Sequence, residues 1–286
     1  MYKTIFYLEG RGGKHIYHFL IYNLGGLYYI DNKNYNLRGL SNTSLLLNDH
    51  IENKYLTTNR KYSITYPIYI YMKDIEQFHR DAFDIIKDKF ILIDNLPNEG
   101  NNEEFEIVSI YGESCIKDGY LDNHSVLFYL RDLFITRIIK KYDIHTNKKR
   151  IFITRKNSEI YHTGTLKRYI INEDDIKSKL IKYGFEYIQL EDYNFEQKIK
   201  LFMESEIILS SHSGALTFAM FCNTNTKIIE ILNKGTYGFI NNHYKYICNI
   251  LNINYFRYSN IYEDYMGNFN LDFEIFEPFL TDVINK

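Results

Sequence analysis

The chain has no tryptophan, three prolines and three cysteines in 286 residues, and these scarcities narrow what it can be. Cys115, Cys222 and Cys248 lie far apart with no CxxC pair. Neither a disulfide framework nor a zinc site is indicated, and buried thiols in a reducing compartment are expected. Scarce Pro and Trp beside 28 Tyr and heavy use of Asn, Ile and Lys reflect A/T-rich codons, those of a microbe or a large virus. The tyrosines therefore read as core and surface filler rather than as a carbohydrate platform. No apolar run approaches the ~20 residues of a membrane span, and the start MYKTIFYLEGRGG makes a poor signal peptide. A cytoplasmic protein is expected, so the sequons at Asn42 and Asn123 carry little weight. Lys and Arg number 34 against 36 Asp and Glu, a net charge of −2 with no basic block, and nucleic acid is not an expected partner.

What the chain does have is a hydrophobic fraction of 45%, enough to fold one large or two ordinary domains without staples. From residue 149 the pattern alternates. It predicts strand 150–154, helix 173–183, strand 185–190, helix 195–204, strand 207–210, helix 214–221, strand 228–232, helix 241–251, strand 254–258 and helix 273–284. Alternation of this kind implies a doubly wound parallel sheet. The first half is less regular: strand 3–8, a glycine-rich loop, helix 14–24, strand 27–30, strand 67–71, helix 74–89, strands 90–93 and 106–111, and helix 125–141. Residues 32–59 read as loop-rich, and the polar run 145–149 as a linker. The expected domains are 1–145 and 146–286, with the last helix free to pack back on the first.

The most informative stretch is SEIILSSHSGALTFAMFCNTNTKIIEIL, residues 205–232, a strand, a polar turn, a helix and a second strand. Ligands of open α/β sheets bind beyond the carboxyl ends of the strands, where the next helix offers unpaired N–H groups to an anion. His212, Ser213 and Gly214 stand there. Arg155 directly follows strand 150–154, and Arg168 precedes Ile170-Ile171-Asn172-Glu173, where Asn172 reads as a helix cap. The guanidinium fork suits a diphosphate. Glu230 interrupts an apolar strand and must find a partner, either a nearby cation or the ribose hydroxyls of a nucleotide. A serine-hydrolase elbow would need Gly at 211 and 215, where Ser211 and Ala215 stand.

Gly10, Gly12 and Gly13 follow a strand and precede a helix, either as a plain tight turn or as a loop facing phosphate or sugar. His15 occupies the position where both a Rossmann and a Walker fingerprint would need another residue, and Leu8 fails the second as well. His15 and His18 share a helical face but lack a third metal ligand. His18, close to the glycine loop, suits a base working near pH 7.

Taken together, Arg155 in ITRKNS, Arg168 through Asn172-Glu173, Lys182-Tyr183-Gly184-Phe185 and His212-Ser213-Gly214-Ala215-Leu216-Thr217 resemble the family 61 glycosyltransferases. That family's pattern is approximately SR, R-x-I-x-N-E, K-x-G-F and H-G-A-G-L-T-N before a strand with an internal Glu. Tyr17-His18-Phe19-Leu20 resembles its Y-H-F/W box. The departures are small-residue exchanges at 213–215 and Phe218 in place of Asn, which puts a donor contact of that Asn in doubt.

The resemblance implies a GT-B fold, two Rossmann-like domains facing across a cleft, the C-terminal one doubly wound and holding a nucleotide-diphosphate sugar, UDP-linked. It implies inverting transfer to a glycan or protein hydroxyl with no cofactor and no metal. The implied donor contacts are Arg155, Arg168, Asn172, His212, Ser213, Gly214, Ala215, Leu216, Thr217 and Glu230. His18 is the expected base, with Glu9 as the alternative. A degenerate module that binds nucleotide or glycan without transfer is the competing reading, motivated by the altered 212–218 motif. An enzyme that modifies nucleotide sugars would need a nicotinamide fingerprint that the chain lacks.

Overall fold

Alternating apolar strands and one-sided helices assemble into two parallel sheets, one in each of two compact units, Met1–Arg137 and Ile138–Lys286. The computed structural model describes residues 3–9, 16–32, 66–72, 74–95, 105–111, 116–117, 120–121, 124–146, 148–155, 168–232, 242–264 and 266–286. Gly10, Gly12 and Gly13, and residues 33–59 of the stretch expected to be loop, lie outside them. Among the described residues no helix is long and apolar enough to cross a membrane.

The first unit runs β1 (Lys3–Glu9), α1 (Ile16–His18), a π-helical turn Phe19–Asn23, α2 (Gly25–Asn32), β2 (Ile68–Tyr71), α3 (Gln77–Ile85), β3 (Phe90–Ile93) and β4 (Phe105–Tyr111). A short antiparallel pair, β5 (Ile116–Lys117) and β6 (Tyr120–Leu121), leads to α4 (His124–Lys141). The sheet order is β3-β2-β1-β4, every pair parallel.

The strand expected at 27–30 is instead the middle of α2. A four-residue apolar run does not by itself distinguish strand from helix. Leu24, Leu27 and Ile30, each without exposed surface, recur every three residues and so share one helical face. Helix α3 is shorter than expected because Asp74 takes a left-handed conformation (φ 54) and Glu76 opens the helix in a reciprocal cap with His79.

The second unit runs β7 (Lys149–Ile153), α5 (Glu173–Leu180), β8 (Phe185–Ile188), α6 (Phe195–Glu204), β9 (Ser205–Ser211), a 3₁₀ helix Gly214–Phe221, β10 (Lys227–Ile231), α7 (His243–Ile250), β11 (Asn254–Tyr258) and α8 (Phe273–Asn285). Here the order is β11-β10-β9-β7-β8, again all parallel. Gly184, at φ 77, ends the helical segment after α5 in the left-handed region and turns the chain straight into β8. Asn194 and Gln197 cap α6 reciprocally, each accepting the other's backbone N–H at 2.9 Å.

Strand alternation splits this unit into two cores. Phe152, Ile207, Leu209, Ile229 and Ile231 join Ile176 and Leu180 of α5 and Phe276, Leu280 and Val283 of α8 in one buried cluster. The apolar face of the terminal helix is thus taken up by the sheet of its own unit. The intervening residues, Ile208, Ser210, Ile228 and Glu230 among them, point to the opposite side of the sheet. Helices α6 and α7 and the 3₁₀ helix pack together there.

Candidate functional site

Strand β8 pairs with one edge of β7 and β9 with the other, so the winding reverses between β7 and β9. In open parallel sheets such a reversal leaves a crevice outside the carboxyl ends of the two strands. Arg155 follows the end of β7, and His212 follows β9 directly. The topology therefore brings together two residues 57 positions apart: Arg155 Nη1 donates to the His212 carbonyl oxygen at 2.8 Å. Arg168 Nη1 donates to the same oxygen at 3.2 Å.

Arg168 is held in a left-handed conformation (φ 58), which costs a non-glycine residue about 1 kcal/mol or more. The segment that follows β11 offsets that cost. Arg168 N–H donates to Met266 O at 3.4 Å, Tyr169 N–H to Asn268 Oδ1 at 3.0 Å and Ile171 N–H to Phe269 O at 2.8 Å. Asp264 organises that segment by accepting the N–H groups of Met266 and Asn268, both at 2.8 Å.

His212 is the hub. Its N–H donates to Ile231 O at 3.1 Å, its ring lies 5.0 Å from that of Tyr244 at a tilt of 49°, and its Nδ1 is hydrogen-bonded to Glu230 Oε1. Glu230 has no exposed surface, and its other oxygen accepts from the Tyr255 hydroxyl and from Arg257 Nε and Nη2 at 3.2 and 3.0 Å. Burial would raise the Glu230 carboxyl, but the His212 and Tyr255 hydrogen bonds and the charge of Arg257 outweigh it and hold the group below the usual range. For His212 burial is the largest influence and lowers the imidazole; Glu230 opposes it, and Arg168 and Arg155 add to the lowering. A neutral ring beside an ionised carboxylate donates through Nδ1–H, which leaves Nε2 as its acceptor atom.

Two guanidiniums on one carbonyl make an electropositive site. Burial, and then the like charge of Arg168, push the Arg155 guanidinium down to about 10, so it stays charged at neutral pH. Among the described residues no carboxylate pairs with Arg155, and its Nε is buried without a hydrogen-bond partner. Beside the pair, Ser213 is extended (φ −153) and starts the 3₁₀ helix, whose first internal bond is Leu216 N–H to Ser213 O at 3.0 Å. The N–H groups of Gly214 and Ala215 precede that bond and have no partner within the helix. Fixed cations next to backbone donors not used within the helix are suited to a multiply charged anion.

The site thus gathers Arg155, Arg168, His212, Ser213, Gly214 and Ala215. Other residues expected as donor contacts stand in different surroundings. Leu216 and Thr217 are fully buried, and Phe218, 1% exposed, packs against Phe195 and Phe202 of α6 at 5.3 and 5.6 Å. The position where the family pattern has Asn is therefore interior. Asn172 does not cap α5 with its side chain; its amide bonds both ways to the backbone of Leu271, at 2.9 and 3.0 Å, and ties the two segments together. Of the two partners open to Glu230, the protein itself supplies the cation. Glu9 closes β1, paired in register with Tyr111, and His18 ends α1, half-buried. Gly10, Gly12 and Gly13 lie outside the described residues.

Arg257 and Tyr255 escaped the reading of the sequence, although a signal existed. A buried Glu in β10 calls for a cation on a neighbouring strand, and Arg257, the one charged residue of β11, stands opposite Glu230 in register. Glu173, the last residue of the motif that begins at Arg168, is buried and accepts from the Thr154 and Tyr187 hydroxyls at 2.5 and 2.7 Å, fixing the residue next to Arg155.

Compared with known families, residues 17–229 match the family model described as Glycosyltransferase 61. The match starts at Tyr17 of the Tyr17-His18 box and ends inside β10. The comparison with curated proteins gives no match.

Proposed function

Because the chain belongs to the glycosyltransferase 61 family, we propose that it moves a sugar from a nucleotide-diphosphate donor, UDP-linked, to a hydroxyl of a glycan or protein with inversion at the anomeric carbon. The observation that carries this reading is the convergence of Arg155 and Arg168 on the His212 carbonyl at the β7/β9 reversal, beside the Gly214 and Ala215 N–H groups that precede the first internal bond of the 3₁₀ helix. The acceptor oxygen attacks the anomeric carbon in line, the bond to the diphosphate oxygen breaks, and the nucleotide leaves with the electron pair. Negative charge grows on the leaving diphosphate, and fixed cations in a partly buried site stabilise it without reorganising. In this reading those charges do the electrostatic work that a bound metal ion could otherwise do.

The remaining parts of the proposal are a GT-B arrangement of the two units, a cytoplasmic location, and His18 as the base that takes the acceptor proton, with Glu9 as the alternative. Supporting the alternative is that Glu9 ends β1, where the first sheet, in order β3-β2-β1-β4, has its own reversal between β1 and β4; His18 is proposed from the Tyr17-His18 box alone.

The test is Arg155→Ala. Losing charge-assisted hydrogen bonds of about 1.5–3 kcal/mol weakens UDP binding roughly 10- to 100-fold in calorimetry and abolishes transfer in a donor-consumption assay. Full activity in this variant overturns the assignment. Binding of UDP-sugars by the unsubstituted protein with no turnover, whatever acceptor is supplied, replaces the enzyme with a binding module.

A further inference from the structure

The family match ends at residue 229, yet the polar network behind His212 is completed by residues beyond it. We propose that Arg257 and Tyr255 of β11 are positioning residues for the anion site, acting through Glu230 and His212. The register of β10 and β11 sets Glu230 opposite Arg257, so the guanidinium reaches one carboxylate oxygen through Nε and Nη2. Tyr255 donates to that same oxygen, and Arg257 Nε lies 2.9 Å from the Tyr255 hydroxyl. Arg257 is itself steered by Asn242 at the start of α7, whose Oδ1 accepts from Nη1 at 3.2 Å. With Oε2 of Glu230 spent on these donors, Oε1 is left for His212 Nδ1.

That division of the carboxylate fixes the imidazole tautomer and the ring orientation. The His212 backbone follows, because the same residue is pinned at its N–H to Ile231 and at its ring by Tyr244. The carbonyl so placed is the common acceptor of Arg155 and Arg168. A side chain on β11 thus sets where two cations at the ends of other elements stand, without touching the anion itself. Metal sites work in the same way, where outer partners orient a histidine and their loss typically costs 10- to 100-fold in affinity.

The groups facing the Glu230–His212 pair are Tyr255 and Arg257 of β11 and Cys248 of α7 on the Glu230 side, and Tyr244 of α7 with the Arg155 and Arg168 side chains on the His212 side. Removing the positive charge of Arg257 leaves the buried carboxylate less compensated, so the Glu230–His212 pair takes up a proton more readily and His212 titrates at higher pH. A brace that served stability alone would lower the melting temperature while leaving the UDP affinity of the folded protein unchanged.

The experiment uses the full chain with Arg257→Met, Arg257→Lys and Tyr255→Phe. UDP binding is measured by calorimetry and histidine titration by NMR on nitrogen-labelled protein, with His212→Asn to assign the resonance. Arg257→Met is expected to weaken UDP binding about tenfold and to move the His212 titration upward, Arg257→Lys to return the titration most of the way, and Tyr255→Phe to weaken binding severalfold. UDP affinity within twofold of the unsubstituted protein together with an unmoved titration in Arg257→Met overturns the proposal. Should Arg257→Met fail to fold, Tyr255→Phe, which keeps the ring, decides by the same two readouts. The UDP arm rests on the proposed donor: if the unsubstituted protein does not bind UDP, that donor reading fails, and the titration arm alone decides the relay.

Discussion

The altered position 218 gives the sharpest test of the site's geometry. Phe218 is 1% exposed and lies within 6 Å, ring to ring, of Phe195, Phe202 and Phe221. Restoring the family pattern with Phe218→Asn removes an aromatic ring from this cluster, a change that costs about 3–5 kcal/mol when the ring is cut to a methyl group. The amide it inserts has no partner among phenylalanines, which adds about 1–3 kcal/mol. For a unit of this size each kcal/mol is about 2–4 °C, so a fall of roughly 10 °C or more in the melting temperature of the second unit is expected by scanning calorimetry. Donor preference is expected to stay unchanged, measured as the rank order of UDP-sugar affinities at a temperature where the variant is folded. A variant that melts within about 2 °C of the parent and binds a different sugar would show that residue 218 faces the crevice and would refute the packing argument.

Acid should destabilise the second unit in two stages. The folded His212 sits below the ordinary imidazole value of 6.5, so the unfolded chain takes up that proton first and stability falls as pH drops below it; Glu230, held below 4.5 when folded, adds a second loss under that value. Each proton contributes at most about 1.4 kcal/mol per pH unit, so urea midpoints at pH 7.5 and 5.5 that coincide in the parent, or that differ by the same amount in His212→Asn, would contradict this. Asn172→Ala cuts both hydrogen bonds to Leu271 and is expected to cost about 1–3 kcal/mol in urea unfolding while UDP affinity holds within about threefold; a large loss of affinity at unchanged stability would restore Asn172 as a donor contact.

Local pattern was enough where the physics is local. The alternation from β7 to α8 could be read because each strand and helix carries its own period, and α6 and β11 fall on the residues expected. Arg155, His212 and Gly214 were legible for a related reason: a residue that directly follows a strand lies at that strand's carboxyl end wherever the strand goes. The region 27–30 was not legible, because four apolar residues satisfy both periods and only the burial of Leu24, Leu27 and Ile30 on one side selects the helix.

Partner choice was settled by tertiary structure, since it depends on which strands are neighbours and in what register. The sequence alone required that a carboxylate inside KIIEI find a partner, because an unpaired charge there is too costly. That the partners are His212, Tyr255 and Arg257, 18 to 27 residues away, follows from β10 lying between β9 and β11. Asn172 looked like a cap until Leu271, 99 residues on, came to its amide, and Phe218, the departure from the family pattern, left a donor contact in doubt until α6 closed over it. Sequence neighbours determined which residues reach the crevice, and contacts made at a distance decided which of them remain available to a ligand.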